Sequence, residues 1–299
     1  MPGFYILDVS HGNCSVLIDT DGVTVVDAGP GADLLDFLIK KNISRIGILL
    51  LSHADKDHIS GTMGLLGTNE IQIDRVYLNS DSIKKSALWD DLVYSLYDQD
   101  KRGNLCFEPS LTPHLNGKLN QGHVEIEVLA PNQYIAAKGP GGKDRKGRKL
   151  SSNSISAVIR ISYNRKLFAI LPGDLDQIGL DNLLEDANDV HAWLVVFPHH
   201  GGRPGSGAMK SFTSLFCEAV NPEVVVFSIG DNEENFPRKE VVETIEKISP
   251  SSNMFTTKSS GILMTHIEQS GNHSHKNSVG NISFHLEKYP PDLIFGRLC

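Results

Sequence analysis

The run Leu49-Leu50-Leu51-Ser52-His53-Ala54-Asp55-Lys56-Asp57-His58-Ile59-Ser60-Gly61 loads two histidines and two aspartates onto one loop directly behind an apolar strand. Carboxylates this close repel one another and are costly to desolvate unless a cation or solvent compensates. A divalent ion supplies that compensation. In extended backbone, residues two apart point to the same side. His53 and Asp55 can therefore share one ion while Asp57 and His58, adjacent and diverging, reach a second, so the spacing predicts two metals. A solvated polar turn whose histidines cap a helix is the competing reading, and it leaves the density of ligands unexplained.

A chain of 299 residues with 40% hydrophobic content can bury a large core, and layered α/β folds use this length in one domain, so a single domain over 1–299 is expected. No window approaches 18 uninterrupted apolar residues. The start, Met1-Pro2-Gly3-Phe4-Tyr5-Ile6-Leu7, lacks a basic region followed by an apolar signal core, which reads as a cytoplasmic protein with no membrane partner. Cys14, Cys106, Cys217 and Cys299 form no C-x-x-C pair and read as reduced thiols. A net charge of −8 argues against indiscriminate coating of nucleic acid, which rests on neutralising many phosphates, but leaves room for a local basic groove. Oligomeric state is not legible.

Hydrophobic patterning predicts strands at Phe4 to Asp8, Ser15 to Asp19 and Val23 to Asp27, the last broken by Gly29-Pro30. A helix follows over Asp33 to Lys41, then a buried strand over Ile46 to Leu51 that runs into the ligand-rich loop, and a strand over Arg75 to Leu78. From 79 to 122 strand periodicity fades, and the segment reads as a partly helical insertion with its best helix at Ser86 to Tyr97. Beyond it, Val124 to Leu129 alternates, and Ile155 to Tyr163 with Lys166 to Leu171 reads as a hairpin ending in Pro172-Gly173-Asp174. Trp193 to Phe197 runs into Pro198-His199-His200-Gly201-Gly202-Arg203. Helices are expected at Gln177 to Glu185, Ser211 to Val220 and Arg238 to Ile248, a strand at Val224 to Ser228, and paired short strands in the remainder.

The order Asp27-Ala28-Gly29, His53-x-Asp55-x-Asp57-His58, Gly173-Asp174, His199-His200-Gly201 resembles the metallo-β-lactamase superfamily. More narrowly, it is similar to the ComEC-like group, the metallo-β-lactamase domain of a bacterial DNA-uptake channel protein. Leu7-Asp8-Val9-Ser10-His11-Gly12-Asn13-Cys14 approximates that group's opening "LDVGQGDA", and His199 to Arg203 its "HHGS" with a following basic residue. The resemblance implies a four-layer αβ/βα sandwich, two mixed sheets with helices outside and metals where loops converge at one edge. It also implies a hydroxide held between two divalent ions and directed at phosphorus or carbon. Asp55 stands where superfamily zinc enzymes usually have histidine, Ser152-Asn153-Ser154 where a ligand histidine usually lies, Ser60 where glycine is usual, and Phe236 where the group commonly has histidine before proline.

On this reading the metal ligands are His53, Asp55, Asp57, His58, Asp174, His199 and His200. Asp174 bridges both ions, and one of His199 and His200 completes the shell or protonates the leaving oxygen. Asp57, Asp174 and His200 are the catalytic candidates, and Asp27 orients a ligand histidine from behind, a common duty of carboxylates near metal-bound imidazole. Arg203 suits a phosphate clamp through its planar donor fork, and equally a solvated loop. Among the other histidines, His11 is the best placed to reach the site mouth.

Lys138 to Lys149 is a glycine-rich basic stretch in an acidic chain, expected to be a mobile loop over 138–150. Lys143, Arg145, Lys146 and Arg148, with Asn153 of the following motif, are the candidate contacts to a polyanion; charge runs of this kind also occur merely as solvated loops. The expected activity is phosphodiester hydrolysis, most directly of DNA. A metal- or nucleic-acid-binding module without turnover, and a hydrolase of carbonyl substrates such as lactams or thioesters, stand as alternatives. Oxygen-rich ligation favours manganese, with zinc possible.

Overall fold

The computed structural model describes residues 2–231, 235–277 and 279–295. The first half contributes β1 (Gly3–Ile6), β2 (Ser15–Asp19), β3 (Gly22–Val26), α1 (Asp33–Lys40), β4 (Arg45–Ile46), β5 (Ile48–Leu51), α2 (Lys56–Leu66), β6 (Gln72–Ile73), β7 (Arg75–Leu78), α3 (Ala87–Lys101) and β8 (Cys106–Glu108). After it come β9 (Val124–Ala130), α4 (Gln133–Lys138), β10 (Val158–Tyr163), β11 (Lys166–Leu171), α5 (Gln177–Asp186), β12 (Leu194–Val196), α6 (Met209–Val220) and β13 (Val224–Phe227). The last elements are α7 (Lys239–Ile248), β14 (Asn253–Thr256), α8 (Gly261–Ser270), β15 (Ile282–His285) and β16 (Asp292–Phe295).

Two mixed sheets result, one ordered β16-β15-β1-β2-β3-β5-β7-β8 and the other β14-β13-β12-β11-β10-β9, with β4 and β6 pairing separately. Strand composition explains the layering. In β5, Ile48 and Leu50 enter the core between the sheets while Leu49 and Leu51 pack under the first-half helices, so the strand is apolar at every position. β13 does the same on the other side: Val224 and Val226 face the inter-sheet core, Val225 and Phe227 the helices of the second half. Helices thus cover both outer faces, the four-layer arrangement that the motif order implied.

Three expectations change. Asp57 and His58 lie in the first turn of α2, with Asp55 as its extended N-cap residue and His53 in the bend before it, so the four ligands do not share one extended segment. The paired short strands expected at the end are interrupted by α8, whose start is fixed by the Ser260 hydroxyl accepting the Leu263 N–H. The 79–122 segment holds the expected helix, extended to Lys101, but also β8, which adds to the sheet edge beside β7. Cys14 and Cys217 are buried free thiols and Cys106 an exposed one, while Cys299 lies outside the described residues. Among the described residues no helix is long and apolar enough to cross a membrane.

Candidate metal centre

The ligand candidates meet because parallel strands of both sheets end at one edge. Asp27 follows β3, His53 follows β5, Asp174 follows β11 and His200 follows β12. Asp57, His58, Asp174 and His200 each place a ligand atom within 4.8 Å of the others, and so do His53, Asp55 and Asp174. Asp174 is common to both groups: Oδ1 lies 3.1 Å from His58 Nε2 and 3.6 Å from His200 Nε2, and Oδ2 lies 3.8 Å from His53 Nε2. Asp57 Oδ2 stands 3.2 Å from His200 Nε2, and Asp55 Oδ2 stands 3.7 Å from His53 Nε2.

The hydrogen bonds behind each imidazole fix which nitrogen faces this cluster. His58 Nδ1 meets the Asp27 carboxylate at 2.7 Å and His200 Nδ1 the Ser228 carbonyl at 2.6 Å; both partners only accept, so each Nδ1 carries the proton. Ser52 gives its hydroxyl proton to Asp27 and therefore accepts from His53 Nδ1 at 3.0 Å. In their neutral forms all three rings present an Nε2 lone pair inward, and Nε2 is the nitrogen that takes up a proton or a metal ion. His53 Nε2, His58 Nε2 and Asp174 Oδ1 are buried without a hydrogen-bond partner. Orphaned buried polar atoms cost about 1–3 kcal/mol each, and three converging on one place fit divalent ions as their partners. A third cluster, Glu246, His266 and His275, differs. There the Met254 N–H donates to His275 Nδ1, leaving Nε2 protonated towards Glu246.

Charge follows the same geometry. Burial alone pushes His58 and His200 down, but Asp174 with Asp27 holds His58 well above its ordinary value, and Asp174 with Asp57 raises His200. Burial works against the charged carboxylates too, yet His58 and His200 hold Asp174 and Asp57 below the usual carboxylate range. Asp55 falls to about 2 against its own burial, through His53 and Lys84.

The backbone here is tightly built. Gly173 has φ +54°, and a Cβ on it would stand 2.4 Å from Ser156 Oγ and 2.6 Å from Ser52 Oγ. Ser156 Oγ accepts the Asp174 N–H, so glycine lets both serines press on the strand turn that carries Asp174. His199 and His200 both have positive φ, which turns the two adjacent rings apart. His200 joins the cluster; His199 reaches Asp174 Oδ2 with Nδ1 at 3.4 Å, stays outside both ligand groups, and takes Asn153 Nδ2 at 3.1 Å on Nε2.

Asn153 therefore meets His199 directly. Arg203 is exposed on the loop after the His200 turn. The basic stretch is fastened where a mobile loop was expected: Arg148 bonds the Asp144 carboxylate and Asp181 of α5, and Lys146 pairs with Glu185. Two of the proposed polyanion contacts are thus engaged with the protein's own carboxylates, because α5 presents an acidic face to the loop. Arg145 lies over the Tyr134 ring at 5.4 Å, and Lys143 has no ion pair among the described residues. Patterning also missed Lys84, whose ammonium contacts Asp55. No spacing rule links residue 84 to residue 55; the pairing of β5 with β7 brings their following loops together. His11 does stand at the mouth, Nε2 3.8 Å from Asp57 Oδ2, its ring stacked on Phe236 at 5.6 Å.

Residues 7–150 match the Metallo-beta-lactamase superfamily. Over 94% of its length the chain is 23% identical to ComE operon protein 3 of Bacillus subtilis (strain 168), and it spans 32% of that relative. The metallo-beta-lactamase fold protein YhfI from Bacillus subtilis superposes with a TM-score of 0.53 at 11% identity, covering 86% of this chain and 96% of that one. With the motif order and the two helix-covered sheets, these findings show that the chain has the metallo-β-lactamase fold, its first half being similar in sequence to that superfamily.

Proposed function

We propose that the chain is a metal-dependent phosphodiesterase acting on DNA. His53, Asp55 and Asp174 would hold one divalent ion, and Asp57, His58, His200 and Asp174 a second. Ions so placed supply Lewis acidity and lower the pKa of bound water. The observation that carries the reading is the convergence of three proton-fixed imidazoles on one buried carboxylate, with the Lys84 ammonium beside them.

The chain's own groups have separable duties. Asp27 and the Ser228 carbonyl hold His58 and His200 with their lone pairs inward. Asn153 accepts no proton here; its amide donates to His199 Nε2, which leaves His199 Nδ1–H beside Asp174 as the donor for a leaving oxygen. Phosphate selection falls to the rim. Lys84 sits on Asp55, and the basic stretch adjoins it, Gly141 lying so near Ile83 that a Cβ would stand 3.0 Å from its Cγ2. The motif resemblance to the ComEC-like group favours DNA among phosphodiesters. One proposed ion position has a single nitrogen and two carboxylates, which suits manganese above zinc.

The test is a panel of DNA, RNA and a small activated phosphodiester, run with protein loaded in turn with manganese, zinc and magnesium. The expected result is DNA cleavage fastest with manganese, abolished in a folded Asp174→Asn variant. Full metal loading with DNA binding but no hydrolysis would favour the non-catalytic module.

A further inference from the structure

Lys84 belongs to neither ligand group, yet its ammonium rests on Asp55 Oδ1 while the other oxygen of that carboxylate faces His53 Nε2 at 3.7 Å. The lysine side chain is 25% exposed, and among the described residues its ammonium has no hydrogen bond beyond Asp55. An ammonium carries three donors, so two remain for the mouth. The turn that delivers it is built for the purpose. Asp81 is buried, 2% exposed; its Oδ1 accepts the Ile83 N–H at 3.2 Å and its carbonyl the Lys84 N–H at 3.4 Å. Its Oδ2 accepts the Ser152 hydroxyl, next to the Asn153 that reaches His199. A carboxylate buried this deeply is costly unless hydrogen-bonded, and these bonds all fix one turn and tie it to the opposite half of the site.

A fixed cation beside a divalent ion opposes metal binding by like-charge repulsion. Asp55 offsets part of that repulsion with its single negative charge, and a further anion taken by the two spare donors of the ammonium would offset the rest. We propose that Lys84 is a substrate-contacting residue that hydrogen-bonds a non-bridging oxygen of the scissile phosphate, making the site selective for anionic phosphodiesters. This rests on the phosphodiesterase reading. Asp55 then positions the lysine with one oxygen, and Asp81 keeps its turn in place.

The experiment compares metal-loaded full chain with Lys84→Gln and Lys84→Arg. Three quantities are measured: metal content by elemental analysis, affinity for inorganic phosphate by calorimetry, and kcat/KM on a small activated phosphodiester. Expected for Lys84→Gln is unchanged metal content with phosphate affinity and kcat/KM both reduced roughly tenfold to hundredfold, the range for a hydrogen bond to a charged group; Lys84→Arg restores most of both. If wild-type protein cleaves the phosphodiester and Lys84→Gln keeps phosphate affinity and kcat/KM, the role of Lys84 is overturned and the phosphodiesterase reading stands. Reduced metal content in Lys84→Gln also overturns it, because the lysine then serves to hold Asp55 for the ion. No cleavage by fully loaded wild-type protein overturns both.

Discussion

Each ligand imidazole depends on a group behind it that the ion would never touch. Ser52 is the most economical of these: one hydroxyl gives its proton to Asp27 and takes one from His53, so a single side chain fixes two tautomers, directly at His53 and through Asp27 at His58. The same cluster sets a pH dependence. Without metal, His58 and His200 are held above 6.5 by carboxylates, so their contribution to folding is complete below 6.5 and is lost as the pH rises through their folded values. Asp57 and Asp174 are held below 3.8; their contribution is complete above 3.8 and lost as the pH falls through their folded values. Chelated protein should therefore be most stable between 3.8 and 6.5, with Tm falling toward alkaline pH. Metal-loaded protein should gain Tm above 6.5, since the ligands bind metal only when deprotonated. Thermal melts across pH, with chelator and with manganese, check both trends; a chelated protein that gains stability above 6.5 would contradict the charge pairing.

Elements whose apolar pattern is local were legible in the sequence, and those set by partners were not. β5 and β13 announced themselves because both faces are buried. α8 did not: its one fully buried side chain is Leu263, too little for a helical stripe, and its cap is a single serine. The basic stretch shows the same limit for charge. Composition marked Lys146 and Arg148 as cations, but their partners Asp181 and Glu185 lie on α5, more than thirty residues away. Arg148→Gln should accordingly destabilise the fold by about 1–3 kcal/mol, by removing the guanidinium that Asp144 and Asp181 share, while the backbone N–H of residue 148 still donates to Asp144. It should barely change the salt dependence of DNA binding. Neutralising Lys143, Arg145 and Lys149 together should leave stability nearly unchanged and flatten that dependence, by roughly 0.9 in log–log slope for each duplex phosphate that is no longer neutralised. Denaturant melts and binding titrations at several salt concentrations separate the two outcomes.

At the scale of the whole molecule, the sandwich brings residues from opposite halves of the chain to one edge: His53 to His58 from the first sheet, Asp174 and His200 from the second. Ordered motifs made this legible, because each lies just after a strand. The rim was legible only in part: His11 was placed at the mouth from the sequence, but Lys84 reaches it through sheet pairing rather than spacing. The centre therefore exists only in the folded chain, with Asp174 as the one carboxylate common to both ligand groups. The most direct measurement is DNA cleavage rate as manganese is titrated into metal-free protein, with bound metal counted in the same samples. The rate should saturate at two ions per chain. Saturation at one ion, or two bound ions with no cleavage, would contradict a two-metal phosphodiesterase.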